Sequence, residues 1–98
     1  MSAQFIEKEV NLVVDKDNGT ATQEVVAEFS EPITNANVCM KDLSVATSGT
    51  NALRNFKLTI TDEAYDENLF KFIVEFKIRT SGANTGSAAV KFLVIGMS

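Results

Sequence analysis

Four residues in the chain have side chains suited to ligand binding: Arg54, Tyr65, Ser81 and Asn84. An exposed tyrosine ring can stack on a sugar face or enter a pocket of a partner protein. Ser81 and Asn84 belong to the segment Thr80–Ser87, whose hydroxyl and amide groups suit adaptable hydrogen bonding to polyols. Arginine next to asparagine supplies further donors for ligand hydroxyls. We therefore predict that these four residues contact a ligand.

Each of the four also has a purely structural interpretation. Tyr65 can pack back onto the protein, and a lone surface arginine such as Arg54 is often inert. The small polar residues of segment 80–87 are also what a flexible connection between strands requires. The sequence leaves both interpretations open.

The residue types that most enzymes need are missing. The chain has no histidine and one cysteine, which excludes a catalytic triad and a histidine- or thiolate-ligated zinc site within one chain. It also has no glycine-rich phosphate loop. Catalysis by two facing carboxylates remains, but it needs a cleft that so small a domain offers poorly. We predict a protein that is not an enzyme and uses no cofactor.

Two acidic segments contain the oxygen ligands that calcium prefers. Segment 15–19 begins like an EF-hand loop, but its glycine comes one position early and Val26 replaces the bidentate glutamate. A hairpin turn around Asn18-Gly19 explains the same residues. The second segment is denser in charge, although solvated loops are commonly this acidic; it contains Asp62, Glu63, Asp66 and Glu67. We predict no metal site in either segment, although the sequence alone leaves calcium binding by the second segment open.

The charge of the chain argues against nucleic acid and membranes as partners. Nine Lys and Arg residues against thirteen Asp and Glu residues give a net charge of −4, which repels phosphate backbones and anionic lipid surfaces. No apolar run approaches the roughly 20 residues of a membrane helix, and the opening residues 1–10 do not resemble a signal peptide. We expect a cytoplasmic or virion protein.

Cys39 lies in an apolar stretch, which is typical of an inert core thiol.

Apolar and polar residues alternate along most of the chain, with the period of two that is typical of β-strands. A strand places alternate residues on one face, whereas a helix scatters them around its circumference. The clearest example is the apolar set Phe70, Phe72, Val74, Phe76 and Ile78. The preceding run, residues 55–61, alternates as clearly, with Phe56, Leu58 and Ile60 on one face. Less regular runs occupy residues 10–14, 25–29, 38–45 and 89–95. The acidic segment 62–68 is expected to be the connection of a hairpin.

Six such runs without a helical stripe predict one domain over residues 1–98, folded as an all-β, six-stranded antiparallel β-sandwich. The last run, 89–95, is apolar on both faces, as in a strand at a sheet centre or a subunit contact. Pro32 lacks an amide hydrogen and is expected to interrupt pairing. Ahead of the first run, Glu7 and Glu9 are compatible with a short helix or an extended arm.

The order of motifs from Val25 to Gly96 resembles the H-type lectin domain. Val25–Pro32 is similar to that family's opening strand, Asn37–Ser44 to its second strand, and Ala89–Gly96 to its last. Arg54 after Leu53 falls where the family has an arginine near its sugar site. The resemblance implies a six-stranded sandwich that assembles as a homotrimer or as a hexamer of paired trimers.

The same resemblance implies a changed ligand. The family's sugar site includes a tryptophan and a histidine, and this chain has Thr80 and Ser81 in their places. The aromatic that opens the family's final strand is also replaced, near Gly86, and the connection 62–68 is longer. Galactosamine-type recognition is therefore not expected. Related domains occur at the ends of virus tail fibres, which fits an oligomer made without a secretion signal.

Two functions follow from these observations. The first is a non-enzymatic module that recognises carbohydrate or a cell-surface receptor and acts as a homo-oligomer. The second is a structural or assembly subunit, for example of a virion or tail fibre, that has no small-molecule site. Residues 89–95, apolar on both faces, are consistent with either.

Overall fold

The computed structural model describes residues 3–15, 18–47 and 51–98, which form six β-strands and no helix. No helix in these ranges is long and apolar enough to cross a membrane. Most of the strands have 12 to 14 residues, about twice the usual strand length. They are β1 (Ala3–Val14), β2 (Thr20–Glu28), β3 (Asn35–Thr47), β4 (Leu53–Asp66), β5 (Leu69–Thr80) and β6 (Gly86–Met97).

The six strands form two antiparallel sheets of three strands each. The first sheet has the order β1-β6-β3 and the second has the order β2-β5-β4. Apolar side chains of both sheets make one shared core, so the prediction of an all-β, six-stranded antiparallel sandwich is confirmed. Only β4 and β5 form a hairpin among these strands; each other connection crosses from one sheet to the other.

The core lies between the two central strands, β5 and β6. Their inward-facing residues are almost completely buried, and Phe72 meets Phe92 edge-to-face with ring centroids 5.5 Å apart. Such pairs add about 0.5–1.5 kcal/mol to the effect of burial alone. The inward-facing set comprises Phe70, Phe72, Val74, Phe76 and Ile78 from β5 and Ala88, Val90, Phe92 and Val94 from β6.

Several strands differ in extent from the sequence expectation. β1 begins at Ala3, so Glu7 and Glu9 lie in a regular strand and not on a helix. β4 continues to Asp66, so the expected loop 62–68 is mostly strand. A β-bulge between Thr61 and Ala64 accommodates the polar residues there, and the strand alternation resumes after it.

Pro32 lies where the sequence predicts it, whereas Cys39 does not. β2 ends at Glu28, ahead of Pro32, which agrees with the expected interruption of pairing. Cys39 is exposed, so the expectation of a core thiol was wrong. The reason is the phase of β3: Cys39 pairs with Leu93, on the outer face of β6. The adjacent pair Val38–Val94 and the pair Leu43–Val90, beyond the bulge, lie on the inner face.

The sandwich is closed on one long side and open on the other. β1 packs against β2, but β3 and β4 diverge, which leaves the inward-facing side chains of β4 only partly covered. Phe56 is 40% exposed although it pairs with buried Ile78, and Leu58 and Ile60 are half-buried. We call this opening between β3 and β4 the open seam.

Replacing Phe72 by alanine should destabilise the protein by about 3–5 kcal/mol, because a fully buried aromatic is lost and a cavity is left. The free energy of unfolding in urea measures the effect. Phe5→Ala is the matched control: Phe5 is 63% exposed, so the change should stay within about 0.5 kcal/mol. Equal losses for the two variants would contradict the position of the core.

Cys39 should react with a thiol reagent such as dithionitrobenzoate in the native protein, because its side chain is exposed on the outer face of β3. The expected rate is within about tenfold of the rate in denaturant, since no unfolding step is needed for access. A thiol that reacts only after denaturation would place Cys39 in the core after all.

Candidate functional site

The turn between β4 and β5 is held in place by the segment that follows β2. The amides of Phe29 and Ile33 donate hydrogen bonds to the carbonyls of Asn68 and Glu67, both at 2.8 Å. Asn68 Nδ2 returns a hydrogen bond of 2.8 Å to the carbonyl of Phe29. Glu67 adopts a left-handed backbone conformation with φ of 54°, which closes the turn. The end of this hairpin is thus supported by the connection between β2 and β3, as a binding site requires.

A shallow cavity of about 190 Å³ lies at this supported end of the hairpin. It is smaller than the roughly 300 Å³ at which sites for drug-sized ligands begin, so it suits one ring or one side chain. Ala64 pairs with Lys71 and Asp66 with Leu69, which puts these four residues on the outer face of the second sheet. The lining consists of Ala64, Tyr65, Asp66, Leu69 and Lys71.

The lining of the cavity combines apolar residues with two opposite charges. Leu69 and Ala64 provide apolar surface, while Asp66 and Lys71 supply a carboxylate acceptor and an ammonium donor. Neither charged group forms a salt bridge to any residue in the described ranges. Both can therefore hydrogen-bond to a ligand without first losing an internal partner.

Tyr65 also lines this cavity and is 51% exposed. It pairs with Phe70, whose side chain is buried, so the two faces of the hairpin differ: Tyr65 is on the inner side and Asp66 on the outer side. The sequence predicted Tyr65 at the tip of a loop, but in the structure it is the second-last residue of β4, next to the turn.

Arg54, Ser81 and Asn84 lie at the opposite end of the same hairpin. Arg54 is exposed in the first residues of β4, and the bulge between Leu53 and Asn55 contains it. Tyr65 is eleven residues further along the strand, a separation of about 36 Å. One chain therefore brings Arg54, Ser81 and Asn84 into one region and leaves Tyr65 far from them.

Ser81 and Asn84 take part in closing the connection between β5 and β6. Ser81 Oγ accepts a hydrogen bond of 2.9 Å from the amide of Ala52, and Ser81 donates its own amide to the Ala52 carbonyl at 2.9 Å. Asn84 Oδ1 accepts from the amide of Thr80 at 2.9 Å. These bonds give both side chains a structural role, which is the alternative that the sequence had left open.

The two acidic segments differ in what the structure describes. In the first, Lys16 and Asp17 lie outside the described residues, while Gly19 has a φ of 70° and Asn18 Oδ1 accepts from the amide of Thr20 at 3.2 Å, as in a turn. The second is divided between the bulge and the turn of the hairpin. No group of three or more metal-ligating side chains is found in ranges 3–15, 18–47 and 51–98.

A second surface lies on the outer face of the first sheet. Phe5 is 63% exposed there and pairs with Ile95. Leu93, the next residue of β6 on this face, lies between its two partners, Glu7 of β1 and Cys39 of β3. The sequence did not single out this surface because β6 is apolar on both faces, and only the strand order shows which face is covered.

One ion pair crosses that surface from β1 to β3. Lys41 Nζ lies 2.8 Å from Glu7 Oε2, and both side chains are about half exposed. The hydrogen bond from Lys41 and its positive charge lower the pKa of the Glu7 carboxyl below its ordinary value of 4.5. The pair therefore links the two edge strands of the first sheet over the central strand.

Comparison of the chain with protein-family models, with curated proteins and with solved structures found no match.

The Glu7 carboxyl should titrate below 4.5 in a carbon-detected NMR titration, and Lys41→Met should return its pKa toward that value. Because the folded pKa is lowered, the stabilisation by Lys41 is present above pH 4.5 and is lost as the pH falls through the lowered pKa. The stability difference between the native protein and Lys41→Met should therefore shrink in acid. Lys57→Met, in the other sheet, should leave the Glu7 titration unchanged.

Proposed function

We propose that the protein is a non-enzymatic binding module that recognises a hydroxyl-rich ligand, a glycan, at the β4–β5 hairpin. The observation that carries the proposal is the shallow cavity at the supported end of the hairpin, whose lining includes Tyr65, Asp66 and Lys71. A carboxylate and an ammonium group together satisfy both the donor and the acceptor character of sugar hydroxyls. The adjoining apolar residues, Ala64 and Leu69, suit the C–H face of a sugar ring.

The size of the cavity supports a weak site used in several copies. A site for one ring makes few hydrogen bonds, and a flat protein surface excludes little water. Several fixed copies raise the overall avidity by roughly 10²–10⁴ without new contacts at each site. A homo-oligomer, trimeric or hexameric in the H-type lectin resemblance, is therefore part of the proposal.

Lys71→Gln should weaken binding to the best glycan on a glycan array by about tenfold or more, because a charge-assisted hydrogen bond is lost. The same measurement, repeated by calorimetry with that glycan in solution, gives the dissociation constant. A native protein that binds no glycan on the array would reject the proposal.

The matched control is Lys77→Gln. Lys77 lies on the same strand and the same outer face as Lys71, six residues and about 20 Å away, and it is also exposed. Its loss should change the dissociation constant by less than about twofold. Equal effects of the two substitutions would indicate a general effect of charge and not a site at the hairpin.

A structural or assembly subunit is the second candidate function, and the shape of the molecule favours it. The radius of gyration is 15.4 Å, against about 13 Å for a compact domain of this length, and the principal extents are 50 × 20 × 15 Å. Long, narrow domains with free sheet edges suit end-to-end or side-by-side packing in an assembly such as a virion or tail fibre. The glycan measurements above separate the two candidates, since a purely structural subunit has no glycan to lose.

A further inference from the structure

The outer edge of β4 carries a regular segment of seven residues, Asn55–Thr61, between two β-bulges. One bulge contains Arg54, and the other contains Asp62 and Glu63. The inward-facing residues of the segment, at positions 56, 58 and 60, are the apolar side chains of the open seam. Beyond this edge lies no further strand of the described chain, so the amide and carbonyl groups that point away from β5 have no strand partner.

The other three sheet edges carry features that discourage pairing. β1 has three charged residues in succession, 7–9, along its middle. β2 carries Glu24 and Glu28, and it lies on the closed side of the sandwich. β3 is interrupted at its middle by a bulge between Met40 and Asp42. Natural sheets use charges and bulges in this way to prevent edge-to-edge association, and segment 55–61 has only one charge.

We propose that β4 pairs with β4 of a second copy of the chain, in an antiparallel arrangement about a two-fold axis at Leu58. The second sheets of the two copies then form one six-stranded sheet. A two-fold axis perpendicular to the sheet keeps the inner faces of both copies on the same side, so the apolar side chains of the two open seams meet and cover one another.

The pairs formed in this register are favourable. Leu58 faces the partner's Leu58, Phe56 faces the partner's Ile60, and Lys57 faces the partner's Thr59. Aromatic and β-branched side chains opposite each other are among the stabilising cross-strand pairs. The bulges of one strand also come opposite the bulges of the other, since Arg54 and Asp62 each lie four residues from Leu58.

Neighbouring registers are worse for identifiable reasons. A slip of one residue turns the apolar face of one copy toward the solvent face of the other. A slip of two residues in one direction places Lys57 opposite the partner's Lys57, so that two like charges face each other. A slip of two in the other direction places Phe56 opposite the partner's Asp62, which buries a carboxylate against an aromatic ring.

Charge complementarity supports the same register. With Leu58 on the axis, Arg54 of each copy comes opposite the partner's Asp62, so two pairs of opposite charge form at the ends of the paired segment. Both residues are exposed, and neither forms a salt bridge to any described residue of its own chain.

The size of the molecule sets an upper limit on the area of this interface. The long side of the molecule that carries the open seam is 50 Å long and 15 to 20 Å wide, roughly 750–1,000 Å² in projection. Standard interfaces bury about 800 Å² on each partner. The side is thus large enough to hold an interface of standard size.

The pairing has a consequence for the hairpin cavity, which rests on the proposed function. The partner's Arg54 comes opposite Asp62, which is three residues, or about 10 Å, from Tyr65. Arg54 and Tyr65, far apart in one chain, thereby approach one another between two chains. The glycan site would then draw on both copies.

Two charge-reversed variants test the interface. Light scattering after size exclusion should give a mass of about 21 kDa, or a multiple of it, for the native chain of 10.7 kDa. Arg54→Glu and Asp62→Lys each oppose like charges twice in a homodimer, so each should raise the dimer dissociation constant by at least about tenfold. An equimolar mixture of the two variants restores both opposite pairs, and native mass spectrometry should show the heterodimer in excess.

A second pair of variants guards against local misfolding, since Asp62 has a left-handed backbone conformation that favours aspartate over lysine. Thr59→Lys places a lysine opposite the partner's Lys57. This substitution should also raise the dimer dissociation constant by about tenfold or more. Thr22→Lys, on β2, is the matched control and should leave the mass unchanged.

A native monomer or trimer would overturn the interface, as would a dimer that Thr59→Lys and both charge reversals leave intact. If the masses behave as expected but no glycan binds, the interface stands and the proposed function fails. If glycan binding falls with Lys71→Gln while the native chain is monomeric, the hairpin site stands, whereas the interface and the homo-oligomer both fail.

Discussion

The fold depends on the packing of two central strands, β5 and β6, whose inner faces are buried against each other. Phe72 and Phe92 meet edge-to-face at the middle of this contact, and almost every inward-facing neighbour along both strands is fully buried. Each central strand then provides the register for two edge strands. The positions of the hairpin, the open seam and the outer faces follow from that arrangement, because an edge strand has no other strand in its sheet to pair with.

Because the fold depends on the two central strands, the edge strands are available for other roles. β4 is hydrogen-bonded on one side and only partly covered on its inner face, so its side chains contribute less to the stability of one chain than those of β5 do. Its polar residues are consequently free to serve recognition, and its apolar ones to serve association. The closed side, where β1 packs on β2, is charged along its strands and has no comparable opportunity.

Much of the fold could be predicted from alternation alone. The five apolar residues from Phe70 to Ile78 define β5, and a run that is apolar on both faces defines β6 as a sheet centre. The course of β4 through its acidic residues could not be predicted, because a bulge absorbs polar residues that otherwise read as a loop. The exposure of Cys39 depends on strand phase, and the distance between Arg54 and Tyr65 depends on strand length. The cavity at the hairpin has no signal of its own, since its lining arises from cross-strand pairs.

The strand order also determines when each sheet can form during synthesis. β2, β4 and β5 are all present before β6 is made, so the second sheet can assemble while the chain is still growing. The first sheet cannot, because β1 and β3 both pair only with β6, the last of the six strands. Until then two strands of 12 and 13 residues remain without their partner. Long-range pairing of this kind is slow, and β1 must wait for a strand more than 70 residues away. The charges in β1 and the bulge in β3 keep those edges from pairing in the folded protein. They therefore also protect the nascent chain from aggregation until β6 has been synthesised.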